Sequence, residues 1–329
     1  MNWGRIARWT VPVGVVLVGV YLLNASWLAP VPHGKVRLLA HRGVHQSFDL
    51  RGVQRDTCTA TRIRPPIARE IENTIPSMRA AFAAGADVVE LDVHGTTDGQ
   101  LAVFHDWTLD CRTNGHGVTH THSMAYLKTL DVGYGYTADG GKTFPLRGHG
   151  VGLLPSLGEV FAAFPQGRFL VNYKSNDAHE GDLLADLLKA HPEWSDRVWA
   201  VYGGTRPTER AIALIAGMRG YTRETLSRCL LPYAAFGWTG YLPEGCRNTL
   251  VPLPVNFAEW LPGWPNRLQA RLHDAGSMMV LYGPYHRGDG GTTGFDSAED
   301  IARIPPGFDG IVSTNEIETI APLVRPHNL

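Results

Sequence analysis

The chain contains 329 residues, of which 44% are hydrophobic, and its 30 basic side chains nearly balance 31 acidic ones. This length suits one large α/β domain with a sizeable core, because α/β barrels often exceed about 200 residues as a single unit. A formal net charge of -1 excludes the strongly basic surface that is typical of nucleic-acid-binding proteins.

The N-terminal segment is apolar over a long stretch. After Arg5 and Arg8 no Lys, Arg, Asp or Glu occurs before Lys35, and residues 9–28 are mostly hydrophobic. A stretch of about 20 such residues predicts one transmembrane helix. The two arginines predict that the N-terminus stays in the cytoplasm.

A cleaved signal peptide is the alternative interpretation of this segment. Cleavage after Ser26 would require a small residue at position 24, which is Asn24. We therefore expect residues 1–34 to form a cytoplasmic stub and a single-pass membrane anchor. Residues 35–329 are then expected on the extracytoplasmic side, either periplasmic or extracellular.

Four cysteines, Cys58, Cys111, Cys229 and Cys246, occur without any CxxC pair that would indicate zinc. In an extracytoplasmic protein an even number of cysteines predicts disulfide bonds. Three pairings are possible. Cys229 with Cys246 is the obvious local pair and would leave Cys58 with Cys111, but the sequence leaves the connectivity open.

Beyond residue 35, short β-type runs alternate with amphipathic helical stretches. The strand candidates are KVRLLA, ADVVELDV, QLAVFHD, RFLVNYK, RVWAVYG, MRGYT, TLVPLPV, SMMVLYG and DGIVST. QLAVFHD follows its predecessor after a turn containing Asp98-Gly99, so it is predicted to be an antiparallel hairpin excursion. The other eight strands, most of them followed by a helix, predict an α/β fold, a (β/α)8 TIM-type barrel, rather than an open doubly wound sheet. Helices are predicted from Asn73 or Thr74 to Gly85 and near 180–190, 206–216, 223–235, 264–274 and 297–303.

Charged and imidazole side chains are concentrated at the ends of the early strands, where a TIM barrel carries its active site. They are His41 and Arg42 on the first strand, Glu90 and Asp92 on the second, His105 on the hairpin strand, and Asn172 and Lys174 on the third barrel strand. Glu90 and Asp92 stand two residues apart and therefore face the same side of their strand. The pair is either a solvated acidic face or a site for one divalent cation, Mg²⁺ or Ca²⁺.

Together these residue types suit phosphoryl transfer, in which positioning and charge stabilisation supply most of the catalysis. A metal ion with Arg42 and Lys174 would hold the non-bridging phosphate oxygens. One histidine would take a proton from the nucleophile, and the other would give a proton to the leaving alkoxide.

The motifs AHRG and ENTIPSMRAAFAAGADVVELDVHGTTDGQLAVFHDWTLD resemble the glycerophosphodiester phosphodiesterase family in order and spacing over residues 39–110. GFDGIVSTN near the C-terminus resembles the closing strand of that family more weakly. The resemblance implies a TIM barrel at residues 35–329 and metal-dependent hydrolysis of glycerophosphodiesters to glycerol 3-phosphate and an alcohol.

The resemblance also implies roles for individual residues. His41 and His105 match the acid–base pair of the family, and Arg42 matches its phosphate-binding arginine. Glu90 and Asp92 match two of its metal ligands. Glu72, the glutamate of the ENT motif, is expected to lie behind the site and to pair with Arg42.

The chain departs from the family pattern in two regions of the predicted site. The family usually has Glu-x-Lys on the third strand, whereas this chain has Asn172-Tyr173-Lys174. An amide oxygen can coordinate Mg²⁺ or Ca²⁺, but the loss of one charge predicts weaker metal binding. An insert at about residues 46–70 contains Cys58, and a bond to Cys111 would tie this insert to the rim beside His105.

Two other functions are compatible with these residues. The first is phospholipase action on lyso- or intact phospholipids. The second is a non-catalytic, membrane-tethered binder that keeps the barrel, for which the amide at position 172 is the sequence support. The expected partners are a small-molecule glycerophosphodiester and a membrane, with no nucleic acid and no partner protein.

Overall fold

The protein is seen in a computed structural model that describes residues 3–32, 34–54, 57–289 and 293–325. The strands are β1 Arg37–His41, β2 Val88–Gly95, β3 Leu101–Val103, β4 Phe169–Tyr173, β5 Val198–Gly203, β6 Gly220–Tyr221, β7 Leu250–Pro254, β8 Met278–Tyr282 and β9 Ile311–Thr314. The α-helices are α1 Trp3–Asn24, α2 Ile75–Ala84, α3 Met124–Leu127, α4 Leu157–Ala163, α5 His179–Ala190, α6 Thr205–Leu214, α7 Arg223–Phe236, α8 Val255–Ala258, α9 Asn266–Asp274, α10 Ala298–Ile301 and α11 Ile317–Val324.

The strands form a nearly closed parallel barrel. Their order is β6-β5-β4-β2-β1-β9-β8-β7, and β3 pairs with β2 in the antiparallel direction. The two ends of this order, β6 and β7, meet where the Thr249 hydroxyl donates to the Gly220 carbonyl at 2.8 Å. The predicted TIM-type barrel and its hairpin excursion are therefore confirmed.

Strand periodicity explains how the barrel separates its core from its polar end. The inner cluster contains Leu39, Val88, Leu170, Ala200, Val280 and Ile311, one from each of six strands. Because side chains alternate between the two faces of a strand, the residue two positions later also faces inward. Those residues are His41, Glu90, Asn172, Tyr202, Tyr282 and Ser313. A hydrophobic plug thus fills the lower barrel, and polar groups line its carboxyl end.

The loops above the barrel have a core of their own. Ala60, Ile63 and Ile71 from the insert region pack with side chains such as Leu109 and Tyr136 in a separate buried cluster. A disulfide between Cys58 and Cys111 joins the same two loops, and a second links Cys229 to Cys246. The disulfide pairing that the sequence left open is therefore Cys229 with Cys246 and Cys58 with Cys111.

The structure does not confirm the predicted transmembrane helix. Helix α1 ends at Asn24, and a separate 3-10 turn follows at Ser26–Leu28, so the apolar segment is not one continuous helix. The Asn24 amide donates to the Trp238 carbonyl and accepts from Arg271, which ties this helix end to the barrel. Among the described residues, no helix has both the length and the apolarity needed to cross a membrane. The division of the chain at residue 34 stays a prediction.

Candidate active site

The first histidine of the site is held in one tautomer. His41 ends β1, is 7% exposed, and has Nδ1 2.8 Å from Asn315 Oδ1. The Asn315 amide nitrogen donates to Asp296, so its oxygen faces the imidazole and requires a proton on Nδ1. Burial, followed by the charge of Arg42, lowers the pKa of His41 well below its ordinary value. The neutral ring therefore presents an unprotonated Nε2, which lies 3.9 Å from Glu90 Oε2.

Arg42 turns away from the strand and into the site. Its φ of 57° is left-handed, and Gly43 follows with a φ of 80°. A Cβ at Gly43 would lie 2.6 Å from the Ser77 hydroxyl, so this turn requires glycine. The guanidinium contacts Glu72 Oε1 at 3.0 Å and Asp92 Oδ2 at 3.2 Å.

Asp92 is surrounded by nitrogen donors. Its Oδ1 accepts from the Asn172 amide at 2.8 Å and lies 3.4 Å from Lys174 Nζ. Its Oδ2 accepts from the Asn73 amide at 2.9 Å and faces the Arg42 guanidinium. Burial alone would raise the pKa of Asp92, but the charges of Lys174 and Arg42 hold it well below its ordinary value.

Glu90 is the less compensated carboxylate of the pair. Its Oε1 accepts a hydrogen bond from the Tyr202 hydroxyl at 2.7 Å, and its Oε2 faces His41. Burial, with the neighbouring charge of Asp92, raises the pKa of Glu90 to about 8. An added cation beside Glu90 and Asp92 would relieve this repulsion.

The second histidine follows β3. His105 Nδ1 lies 2.6 Å from Asp106 Oδ1, and Arg112 holds the pKa of Asp106 below its ordinary value despite burial. An ionised Asp106 accepts the proton of Nδ1, which again leaves Nε2 unprotonated. Burial, followed by the charges of Arg42 and Lys174, lowers the pKa of His105.

Arg112 connects the two halves of the site. This side chain is 2% exposed and donates to Asp106 Oδ2 at 2.9 Å and to Glu72 Oε2 at 2.8 Å. It also donates to the Thr59 hydroxyl at 2.6 Å. Since Glu72 binds Arg42, one guanidinium fixes the partners of both His105 and Arg42. Burial opposes ionisation of Glu72, but Arg112 and Arg42 outweigh it and lower its pKa to about 2.

The structure brings most of the predicted site residues into one buried cluster. The members are His41, Arg42, Glu72, Glu90, Asp92, His105, Asn172 and Lys174, joined by the contacts given above. Cys58 and Cys111 line the same cavity as His105, whereas Cys229 and Cys246 join α7 to a turn elsewhere. Sequence reasoning missed Arg112, Tyr202, Asn73 and Asn315. Of these, Tyr202 and Asn315 could have been found, because each stands at the end of a predicted strand.

The donor set fits a divalent cation only in part. The described residues contain no cluster of three or more His, Cys, Asp and Glu side chains arranged to hold a metal ion. Two carboxylates, Glu90 and Asp92, do converge, and the Asn172 amide touches the second of them. The cluster holds four carboxylates, of Glu72, Glu90, Asp92 and Asp106, against three fixed cations, of Arg42, Arg112 and Lys174. The excess of one negative charge arises only when Glu90 is ionised, so an added cation beside Glu90 would replace the proton that its raised pKa otherwise retains.

Comparison with known proteins gives the same family that the motifs indicated. Residues 41–188 match the model of the Glycerophosphoryl diester phosphodiesterase family. This matched part, a little under half of the chain, is similar to that family. The predicted resemblance is confirmed, and the matched range contains all eight predicted site residues of the buried cluster.

Two curated relatives, both named glycerophosphodiester phosphodiesterase, are similar over shorter stretches. One, from Caldanaerobacter subterraneus subsp. tengcongensis, is 41% identical over 126 residues, which are 38% of this chain and 48% of the relative. The other, from Bacillus subtilis, is 37% identical over 125 residues, which are 36% of this chain and 41% of the relative. The chain thus spans about half the length of the curated relatives it matches, or less.

Solved structures show the same fold over almost the whole chain. The glycerophosphoryl diester phosphodiesterase domain of a Mycobacterium tuberculosis protein matches with a TM-score of 0.61 at 15% identity, over 87% of this chain and 98% of that one. An Oleispira antarctica phosphodiesterase, in complex with the product sn-glycerol-3-phosphate, matches with a TM-score of 0.53 at 19% identity. The match covers 90% of this chain and 98% of that one. At these identities the likeness shows the barrel fold alone.

Replacing Arg112 tests the connection between the two halves of the site. For Arg112→Met we expect a roughly 10–100-fold fall in kcat, as for residues that orient a catalytic group. Without the arginine, Asp106 acts more strongly on His105 and raises its pKa, so the limb of the pH–rate profile that reports His105 shifts to higher pH. Arg112→Lys should recover part of the loss.

Arg147→Met is the matched control, because Arg147 is exposed and stacks on Phe144 and Tyr134 away from the site. Thermal melting of each variant separates lost folding from lost positioning. An Arg112→Met enzyme with the wild-type kcat and pH–rate profile would contradict this role.

Proposed function

We propose that this chain hydrolyses glycerophosphodiesters to glycerol 3-phosphate and an alcohol, with His41 and His105 as the acid–base pair. The observation that carries the proposal is that both imidazoles are neutral and held through Nδ1, His41 buried and His105 partly buried, beside the cation-rich surroundings of Asp92. Each ring thus has one nitrogen left for proton transfer.

The reaction needs one proton taken and one proton given. One imidazole accepts a proton from an attacking water as the water oxygen bonds to phosphorus, the P–O bond to the alcohol breaks, and the other imidazole protonates the leaving oxygen. Arg42 and Lys174 lower the pKa of His105 in the free protein. A bound phosphodiester anion offsets those positive charges, so the ring that acts as the acid can hold its proton.

The fixed cations are suited to the phosphate group. In this proposal Arg42 and Lys174 bind the non-bridging oxygens, and Asp92 keeps both cations in position through contacts of 3.2 and 3.4 Å. Glu72 holds the far side of the Arg42 guanidinium at 3.0 Å. The arrangement favours a phosphodiester because charge stabilisation is preorganised before the substrate arrives.

We also propose that one divalent cation, Mg²⁺ or Ca²⁺, is held by Glu90, Asp92 and the Asn172 amide oxygen, once the amide has turned over from its hydrogen bond to Asp92. When bound, such an ion would neutralise charge that develops on the phosphate oxygens. The raised pKa of Glu90 and the excess of one carboxylate in the cluster support this proposal. The amide at position 172 carries no charge, so we expect weak metal binding.

We propose an extracytoplasmic location, and the support for it comes from the disulfides and not from the N-terminal helix. Two disulfides use all four cysteines of the chain. Disulfides persist in oxidising compartments and are rare in the cytoplasm.

Action on a lysophospholipid is the second candidate. A relative named lysophospholipase D, from Rattus norvegicus, is 27% identical over 188 residues, which are 55% of this chain and 53% of the relative. The values of kcat/KM for glycerophosphocholine and lysophosphatidylcholine distinguish the two candidates. Faster turnover of the lipid would favour the second.

Removal of either histidine tests the acid–base proposal. For His41→Ala and His105→Ala we expect kcat on glycerophosphocholine to fall by about 10²–10⁴. Release of glycerol 3-phosphate is the measurement. His116→Ala is the control, because the His116 side chain is 86% exposed and pairs with Asp110 on a loop. Equal, EDTA-insensitive rates in wild type and both variants would show that the pair does not catalyse.

Glu90→Gln tests the cation site by thermal melting instead of activity. Without divalent ions we expect the variant to melt at a temperature about 2 °C higher than wild type, since a buried carboxylate beside Asp92 has been removed. With Mg²⁺ or Ca²⁺ at about 100 times Kd, wild type should gain about 2.7 kcal/mol of stability. The variant should gain much less.

Glu193→Gln is the control for this measurement, because the side chain of Glu193 is 59% exposed. The proposal is wrong if the metal-induced shift in melting temperature is the same in Glu90→Gln as in wild type.

A further inference from the structure

A second cavity adjoins the one that His105 lines. It has a volume of about 360 Å³, and Trp107 borders both cavities. Lys174 lines the first cavity and Ser175, the next residue, lines the second. A ligand held beside His105 and Lys174 can therefore continue past the indole into this space.

A buried carboxylate faces the second cavity. Glu180 is 3% exposed, and its Oε1 accepts from the Gly95 backbone N–H at 2.8 Å. Its Oε2 is buried without a hydrogen bond among the described residues. Burial raises the pKa of Glu180 to about 6, although the Gly95 and Ser175 groups oppose the shift. A buried carboxylate with a spare oxygen favours a positively charged partner.

The rest of the lining suits a cation better than an anion. Trp107 is 42% exposed, and its ring lies 4.8 Å from that of His120, which leaves indole surface for a ligand. Asp177 adds a second carboxylate, while Arg206 is an exposed cation at the edge. A tryptophan face beside a carboxylate is the arrangement that binds ammonium and quaternary ammonium groups.

We propose that this cavity holds the alcohol part of the substrate and selects alcohols that carry an amine or a quaternary ammonium group. The inference rests on the proposed hydrolysis. The leaving oxygen lies beside His105, the alcohol passes Trp107, and its cationic end contacts Glu180 and the indole. His105 is then the imidazole that protonates the leaving alcohol.

Glu180→Gln tests this selectivity with two substrates that differ only in the alcohol. Glycerophosphocholine carries a cation, and glycerophosphoglycerol carries none. We expect wild type to have the higher kcat/KM on glycerophosphocholine. The variant should lose about tenfold in kcat/KM on that substrate, because one charge-assisted contact is lost. Its kcat/KM on glycerophosphoglycerol should fall much less, so the ratio of the two values should drop. Asp182→Asn, also on α5 but outside the cavity, is the matched control and should keep the wild-type ratio.

Two further measurements guard against a folding defect in Glu180→Gln. Trp107→Leu removes the exposed indole and should lower the same ratio. Choline alone should inhibit hydrolysis of glycerophosphoglycerol competitively in wild type and more weakly in both variants.

The outcomes separate this inference from the function on which it rests. If wild type hydrolyses neither substrate, the proposed function fails and takes the inference with it. If wild type, Glu180→Gln and Trp107→Leu instead hydrolyse both substrates with the same ratio of kcat/KM values, only the inference is overturned.

Discussion

The site depends on the compensation of charge that is buried at the carboxyl end of the barrel. Arg112 lies between Asp106 and Glu72, and Glu72 in turn holds Arg42. Removing any one member would leave an unpaired charge in a region with little water, which costs far more than the pair contributes. The positions of the phosphate-facing groups are therefore set by partners that do not face the cavity.

The same compensation determines the protonation of the two histidines. Burial, followed by nearby positive charge, lowers the pKa of both imidazoles, and each ring has an oxygen partner on Nδ1. Both rings are consequently neutral, with the same nitrogen free. In the proposed reaction the phosphate anion binds at Arg42 and Lys174, whereas an added cation would bind on the other side of Asp92, beside Glu90.

Local periodicity was enough to predict the strand-borne part of the site, but not its support. His41, Glu90 and Asp92 follow from strands that end in polar residues with period two. Arg112 does not, because its partners Glu72 and Thr59 stand 40 and 53 residues away in the chain. Nothing local marks an arginine in a loop as buried.

The N-terminal transmembrane helix is a prediction that the structure does not confirm. Hydropathy counted apolar residues over 9–28, whereas the helix ends at Asn24, whose side chain bonds to Trp238 and Arg271. The roles of the site residues and the metal stay predictions, since contacts alone do not report chemistry.

The charged site residues and the apolar packing residues are distributed unevenly around the barrel. All eight predicted site residues of the charge cluster lie within 41–188, the range that the family model matches. The later strands β7 and β8 contribute mainly apolar side chains to the core, such as Leu250 and Val280. Packing accepts many side chains of similar size, whereas a buried charge accepts almost none. Substitution should therefore be tolerated more readily at the apolar positions of β7 and β8 than within the charge cluster or at Tyr202 and Asn315, which hold Glu90 and His41.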